Sequence, residues 1–353
     1  MIKPQKILFL YSELAGYTVN CVNHYIESNP GNEIHIIRWP LNKEAPFKFL
    51  FKKNVFLKEK TEVNILDYVS KIKPNIIICS GWFDKEYLQV IKQVYKTITT
   101  VLMFDNYWEG SLKQKIGRFI LPKKVTRYFN LAWVPGKIQG EYAKKIGFTP
   151  EQLFYGFYAT DLSKFNTTYQ ESVQAKKQNY PKAFLYIGRY LTLKGIEDLW
   201  EAFTIFSKNN PDWELHCAGT GALFDKKVLH DKIIHHGFIQ SEELYKLVKK
   251  SGVVIMPSHY DHWGMSLQEM TAAGLPVICS DTVGSASVFL EEQKNGFIHK
   301  AKNVTSLVEA MTKTAKLSTN KLLEFGKHSH KLSDLYTIET WSKTLNEILK
   351  KTI

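Results

Sequence analysis

Long hydrophobic runs are missing from this chain. No stretch approaches the roughly 18 uninterrupted apolar residues of a spanning helix, so none is expected. Cysteine is scarce: Cys21, Cys79, Cys217 and Cys279 are the only four, and no metal-ligand spacing relates them. Three lie in strand-like runs, Ile76-Ile77-Ile78-Cys79, Leu215-His216-Cys217 and Val277-Ile278-Cys279. That placement suggests buried thiols in a reduced cytosolic compartment rather than a disulfide framework. Histidine is absent between residues 36 and 215. No Asp-x-Asp occurs. The apolar run Ile7-Leu8-Phe9-Leu10 is too short for a signal-peptide core and lacks a small-residue cleavage site. Acids are in deficit, 34 Asp and Glu against 47 Lys and Arg, a net charge of +13.

What is present fits two domains of ordinary size in 353 residues. Apolar strands are expected at 6–10, 33–38, 75–79, 100–104 and 131–134, with helix-like segments between several of them. A second alternation of strand and helix starts at 183 and runs to about 317. Alternation of this kind predicts an α/β fold with parallel sheets, whose ligands bind beyond the carboxyl ends of the strands. The expected division is 1–162, a polar linker at 163–181, a second domain at 182–334, and a terminal segment at 335–353. In that last segment Trp341, Leu345, Ile348 and Leu349 fall at helical spacing.

The positive charge is uneven. Residues 1–160 hold 23 cations against 13 acids; 43–60 holds six against two, and 113–127 six against none. Both short stretches interleave cations with large apolar residues, Phe47, Phe49, Leu50, Phe51, Phe56 and Leu57 in one and Ile116, Phe119, Ile120 and Leu121 in the other. Such surfaces suit an anionic membrane, where each cation contributes ~1 kcal/mol. The competing reading is a solvated basic face whose aromatics pack inward.

The most specific pattern is Asp261-His262-Trp263-Gly264-Met265-Ser266-Leu267-Gln268-Glu269, followed by Met270-Thr271-Ala272-Ala273-Gly274-Leu275-Pro276-Val277-Ile278. It follows the apolar run Val253-Val254-Ile255-Met256, and helical periodicity begins near Ser266. Gly264 and Met265 therefore sit at a helix N-terminus, where unpaired N–H groups and the dipole favour an anion. Gly264 would let a phosphate approach. Glu269, about one turn on, could accept from a sugar hydroxyl. Acid, anion cradle and acid together suit a nucleotide-sugar.

This arrangement resembles the retaining glycosyltransferases of family 4, whose donor domain carries Glu, seven residues, Glu, then a helix and Gly-x-Pro-Val. The resemblance continues in Phe184-Leu185-Tyr186-Ile187-Gly188-Arg189 and Lys194-Gly195-Ile196-Glu197-Asp198-Leu199, similar to the family's first strand and phosphate loop. Ala218-Gly219-Thr220-Gly221 resembles its second glycine loop. Gly237-Phe238-Ile239 resembles the border of its base pocket, and Asn295-Gly296-Phe297 its late turn. Singly these features are ordinary turns, solvated charges and core residues. Their shared order over 183–298 singles out a donor site.

The resemblance implies a GT-B fold: two Rossmann-like domains facing a cleft, with the C-terminal helix crossing back to the first. It implies that Arg189 and Lys194 hold the diphosphate, Asp261 a donor-sugar hydroxyl and Glu269 the ribose hydroxyls. Gly188, Gly219, Gly264, Met265 and Ser266 would admit the donor, and Phe238 and Ile239 would border the base. In the first domain Asp105, after Val101-Leu102-Met103-Phe104, is the candidate contact for sugar or acceptor, with Asn106 second. Gly16 would allow close approach of the donor phosphate. Two departures stand out: Asp261 replaces the usual Glu, and Val288 an acidic residue.

Such enzymes need no catalytic histidine if leaving phosphate helps deprotonate the acceptor, with Arg189, Lys194 and the helix start supplying electrostatic stabilisation. The missing Asp-x-Asp argues against metal-bridged chemistry, so neither metal nor cofactor is expected. The favoured function is a hexosyltransferase-type enzyme taking a nucleotide-diphosphate sugar to a glycan or lipid-linked acceptor in surface polysaccharide synthesis. It would be cytoplasmic, peripheral on the inner face of the membrane. The alternatives are another GT-B enzyme, a sugar-nucleotide epimerase or phosphorylase, and a basic nucleic-acid-binding protein, for which no recognition motif is present.

Overall fold

A computed structural model describes residues 4–40 and 49–352. It resolves into two compact units, Met1–Asp161 with Tyr336–Ile353, and Leu162–Leu335. The first contains β1 (Lys6–Tyr11), β2 (Glu33–Arg38), β3 (Val55–Glu59), β4 (Ile76–Ser80), β5 (Thr99–Met103), β6 (Leu131–Val134) and β7 (Leu153–Tyr155). They form one sheet in the order β3-β2-β1-β4-β5-β6-β7, every neighbouring pair parallel. Ile7, Leu8, Phe9 and Leu10 are all wholly buried, because a parallel sheet is covered on both faces and its central strands read as unbroken apolar runs.

The sequence pattern shows five of these strands and omits β3 and β7. Both are edges: no residue of β3 is buried and β7 is three residues long. An edge strand has one neighbour and little core contact, so it carries little hydrophobic signal. The helices between strands are α1 (Gly16–Ser28), α2 (Ile65–Ile72), α3 (Lys85–Val94), α4 (Leu112–Lys124) and α5 (Lys137–Lys145). Three start where side chains accept the first amides, Ser111 capping α4 by accepting from Gln114. Asn64 caps α2 by accepting from Leu66 and Asp67, and Asp84 caps α3 by accepting from Glu86 and Tyr87.

The second unit holds β8 (Ala183–Ile187), β9 (Glu214–Ala218), β10 (Ile233–Gly237), β11 (Val253–Met256), β12 (Val277–Ser280) and β13 (Gly296–His299). The order is β10-β9-β8-β11-β12-β13, again all parallel. Its helices are α6 (Ser163–Gln178), α7 (Ile196–Ser207), α8 (Ser241–Lys249), α9 (Met265–Ala272), α10 (Ala286–Phe289), α11 (Val304–Ala315) and α12 (Thr319–Ser333). In both sheets the strand order reverses beside the first strand, at β1/β4 and at β8/β11. In open α/β sheets ligands bind beyond the strand ends at such a reversal.

The polar segment 163–181, expected to be a linker, is largely the 16-residue helix α6. Its buried residues are Phe165, Thr168, Ser172 and Lys176, a helical stripe with only one apolar member. The hydroxyls of Thr168 and Ser172 bond to carbonyls of Lys164 and Tyr169 in the same helix, at 2.8 and 3.2 Å. Polar residues that satisfy themselves this way can be buried without an apolar signature. All four cysteines are free and buried. No helix among the described residues is long and apolar enough to cross a membrane.

The last helix, α13 (Ile338–Leu349), belongs to the first unit and packs on α1. Trp341, Leu345 and Ile348 bury its inner face. The Trp341 ring lies 5.1 Å from Trp133 and 6.3 Å from Phe9, and its indole N–H donates to the Phe157 carbonyl at 3.1 Å. Trp341→Ala removes both the packing and this donor. The first unit should lose about 3–5 kcal/mol, measured as an earlier urea transition followed by the near-UV signal of its aromatics.

Candidate functional site

In the second unit the loop after β8 is built backbone against backbone. The Gly188 amide donates to the Ala218 carbonyl at 3.0 Å, and the Tyr190 amide to the Thr220 carbonyl at 2.8 Å. A Cβ on Gly219 would meet the Gly188 carbonyl oxygen at 1.9 Å, so the two glycine loops lie directly on one another. Gly219 therefore has a packing reason to be glycine, quite apart from any ligand. Between the buried tyrosines 186 and 190, Arg189 projects into solvent. Its carbonyl accepts from the Tyr186 hydroxyl at 2.8 Å, which fixes the backbone beneath an exposed guanidinium.

The chain then makes a short turn at Thr192–Lys194 and enters α7 through Gly195. Gly195 has φ +65°, and a Cβ there would sit 2.1 Å from the Pro257 carbonyl oxygen. Only glycine permits both. This close approach brings the β8 loop against the loop after β11, and polar contacts complete the join. Lys194 Nζ lies 2.5 Å from Asp261 Oδ2, both side chains largely buried. The His259 amide donates to the Leu193 carbonyl at 2.9 Å, and His259 Nε2 is 2.8 Å from Asp198 Oδ2.

Asp261 is held on its other side by the loop that follows β12. Its amide donates to the Thr282 carbonyl, and its carbonyl accepts from the Gly284 amide at 3.0 Å. Ser285 bonds twice more, from its amide to the Trp263 carbonyl and from its hydroxyl to the Gly264 carbonyl at 3.1 Å. Trp263 is a core residue, 2% exposed. Gly264 takes φ +85° and is the N-cap of α9, so Met265 and Ser266 head the helix without a preceding turn of carbonyls. The Ser266 hydroxyl lies 3.9 Å from the Met256 sulfur.

Glu269, one turn into α9, is partly buried. Burial pushes its carboxyl up to about 7. A folded-state value above the unfolded one means that folding takes up a proton between roughly pH 4.5 and 7. Stability is then full below pH 4.5 and falls as pH rises to 7. Glu269→Gln should accordingly stabilise the second unit by roughly 2 kcal/mol at pH 8 and by little at pH 4. Denaturant titrations at the two pH values measure the difference.

After β10, the Gly237 carbonyl accepts from the Gly219 amide at 2.7 Å. Phe238 is 72% exposed and Ile239 is half-buried. Arg189, Lys194, Gly219, Phe238, Asp261 and Gly264 thus occupy loops at the carboxyl edge of one sheet, with Ser266 and Glu269 entering from α9.

Gly16 and Asp105 belong to the first unit. A cavity of about 490 Å³ lies beyond the ends of β1, β4 and β5, and Ser12, Glu13, Tyr17, Asp105, Asn106 and Tyr158 help line it. Asp105 Oδ2 accepts from the Tyr158 hydroxyl at 2.9 Å. Burial raises the Tyr158 and Tyr17 phenols, so both stay protonated. Gly16 opens α1 between two lining residues but is itself exposed, and space is open around a Cβ there. Tyr158 and the Asp198–His259 pair are site features that sequence reasoning did not single out. These residues lie in or beside recognisable motifs, yet the two contacts span 53 and 61 residues of chain, beyond the reach of any local pattern.

Residues 169–332 match the family model described as glycosyl transferases group 1. An uncharacterised glycosyltransferase of Methanocaldococcus jannaschii is 30% identical over 154 residues, 40% of this chain and 39% of that protein. A D-inositol 3-phosphate glycosyltransferase of Arthrobacter is 30% identical over 141 residues, 36% of this chain and 33% of its own. The chain thus spans well under half the length of these curated relatives. Among solved structures, Anabaena HepE in complex with UDP superimposes with a TM-score of 0.74 at 13% identity, covering 98% of this chain and 99% of that one. The fold is GT-B. The region matched by the family model includes Arg189, Lys194, Asp261 and the whole of α9.

Proposed function

We propose that this protein transfers a hexose from a nucleoside-diphosphate sugar to a glycan or lipid-linked acceptor, retaining the anomeric configuration and using no metal. The observation that carries the proposal is the Lys194–Asp261 pair beside the Gly264-headed helix α9 and Glu269. It gathers cation, anion cradle and acid at one sheet edge, within the segment that the group 1 glycosyltransferase model matches. Arg189 and Lys194 offset the charge on the departing diphosphate, the first as a fork and the second as a point charge. The first amides of α9 add to that field. Glu269 accepts from ribose hydroxyls, Phe238 and Ile239 flank the base, and Asp261 contacts the donor sugar.

In the step itself the bond from the anomeric carbon to the phosphate oxygen breaks. The acceptor oxygen bonds to that carbon on the same face, and its proton passes to the released phosphate. Asp105, in the first unit's cavity, is our candidate contact for the acceptor. Titration with UDP, GDP and ADP tests the donor assignment; UDP comes first because HepE holds it. Arg189→Ala and Glu269→Ala should each weaken the preferred nucleotide about ten- to a hundredfold, the value of a charged hydrogen bond. If both variants bind like the parent, the assignment is wrong. Conversion of donor sugar without acceptor would instead identify an epimerase, and dependence on free phosphate a phosphorylase.

The acceptor side of the proposal includes the inner face of the cell membrane, in a polysaccharide-building pathway. Helix α4 supports it. None of its residues is buried, and Leu112, Ile116, Phe119 and Ile120 stand exposed on one side at helical spacing. Lys113, Lys115, Arg118, Lys123 and Lys124 accompany them without a single acid. An amphipathic helix of this composition lies in an anionic interface. The stretch 43–60 contributes less. Phe49, Phe51 and Leu57 pack against the unit's core, Leu50 and Phe56 are exposed, and residues 41–48, with Phe47, lie outside the described residues. Sedimentation with phosphatidylglycerol vesicles should fall at least tenfold in Ile116→Glu/Phe119→Glu; equal binding to neutral phosphatidylcholine would refute the charge argument.

A further inference from the structure

Helix α6 buries the amine of Lys176. Lys176 is 5% exposed and ends the stripe by which α6 meets the rest of the second unit. Its Nζ lies 6.0 Å from the Tyr180 ring centroid. Among the described residues no carboxylate pairs with it. Glu171, on the same helix, holds Lys249 at 2.5 Å, and Glu324, on α12, holds Lys321 at 2.9 Å. Removing an ammonium from water without a counter-ion is costly, and the group responds by giving up its proton. Burial pushes the Lys176 amine down to about 7.

Beside this amine lies a cavity of about 460 Å³ between α6, α12 and the end of α9. Its walls are largely apolar, with Tyr169, Val173, Tyr180 and Leu322 among them. Lys177 and Lys327 add positive charge against the single Glu324. We propose that this cavity binds a small organic monoanion, a carboxylate with an aliphatic or aromatic body. Its charge meets Lys176 Nζ, and its body lies along Tyr169 and Tyr180. One buried ammonium matches one negative charge, whereas a phosphate dianion would bring a second charge among apolar walls. The cavity touches α9 only beyond its C-terminus, at Gly274, while the candidate donor residues Met265 and Ser266 head its other end. The cavity lining shares no residue with the candidate donor site.

The remaining titratable groups around the cavity are accounted for. Burial raises the Tyr169 and Tyr180 phenols and keeps them neutral, and Tyr180 donates to the Gly252 carbonyl at 2.9 Å. His330, also on α12, stacks on Tyr169 at 4.0 Å, and its Nδ1 is 2.6 Å from the Ala272 carbonyl. A Lys176→Met control separates any contribution of His330 from that of the amine.

The test uses octanoate and benzoate as probes on the full chain, with inorganic phosphate for comparison. In the unmodified protein, acetic anhydride labelling of Lys176 is followed by peptide mass spectrometry, which needs no variant to fold. Millimolar octanoate or benzoate should slow that labelling several-fold, and phosphate should not. Only the protonated amine attracts the anion, so calorimetric affinity should fall about tenfold between pH 6 and pH 8. Lys176→Met should abolish it. The inference is overturned if neither carboxylate protects Lys176. Equal protection by phosphate, or undiminished binding of octanoate to Lys176→Met, would overturn it too.

Discussion

The candidate site depends on one close approach, Gly195 against the Pro257 carbonyl. Lys194 and Asp261 are 67 residues apart in the chain, on loops that leave different strands. They meet because β8 and β11 are neighbours at the point where strand order reverses, and because Gly195 lets the two loops touch. Any side chain at Gly195 would drive its Cβ into the Pro257 carbonyl, in a left-handed conformation that other residues resist. The Gly219–Gly188 contact has the same role between the loops of β8 and β9. Gly195 and Gly219 are, in the structure, spacers that allow loops to stack. The charged side chains then inherit their positions from that stacking.

This separates what could be read along the chain from what could not. Central strands were plain, because burial on both faces leaves runs such as Ile76-Ile77-Ile78-Cys79 with no other easy reading. The order of Gly-Arg, Lys-Gly, the second glycine loop and the Asp261–Glu269 segment picked out loops that the structure gathers at the carboxyl edge of one sheet. Partnerships were hidden. Nothing local shows that Lys194 pairs with Asp261, that His259 holds Asp198, or that Tyr158 donates to Asp105. Each contact joins segments that only the topology brings together.

A property averaged over a segment does not say which face a residue occupies. Residues 163–181 are polar in bulk, yet α6 buries a stripe whose hydroxyls bond to their own helix. The two basic, aromatic stretches of the first unit have similar composition and different fates. Phe49 and Phe51 turn into the core, while α4 leaves Ile116 and Phe119 in solvent. Composition alone does not separate a surface patch from a packed one, and only α4 keeps its large apolar residues exposed. Helical phase could have exposed α4, since 112, 116, 119 and 120 share a side. The other stretch follows a sheet edge, where no such period applies.

Two buried ionisable groups in the second unit show what the fold tolerates. Glu269 on α9 and Lys176 on α6 are shifted by burial in opposite directions, and both arrive near 7. Their effects on stability therefore slope oppositely. The Glu269 contribution falls as pH rises from about 4.5 to 7, and the Lys176 contribution rises from about 7 to 10.5. Near neutrality the unit carries both penalties close to their full values. An apolar residue at either position would relieve one of them, so folding alone gives no reason for these side chains. Each is, however, what an incoming ligand would use. Among the described residues no ion pair holds the Glu269 carboxylate or the Lys176 amine, which leaves the first open to hydroxyl groups and the second to an anion. The binding roles proposed for Glu269 and Lys176 both draw on that unmet demand.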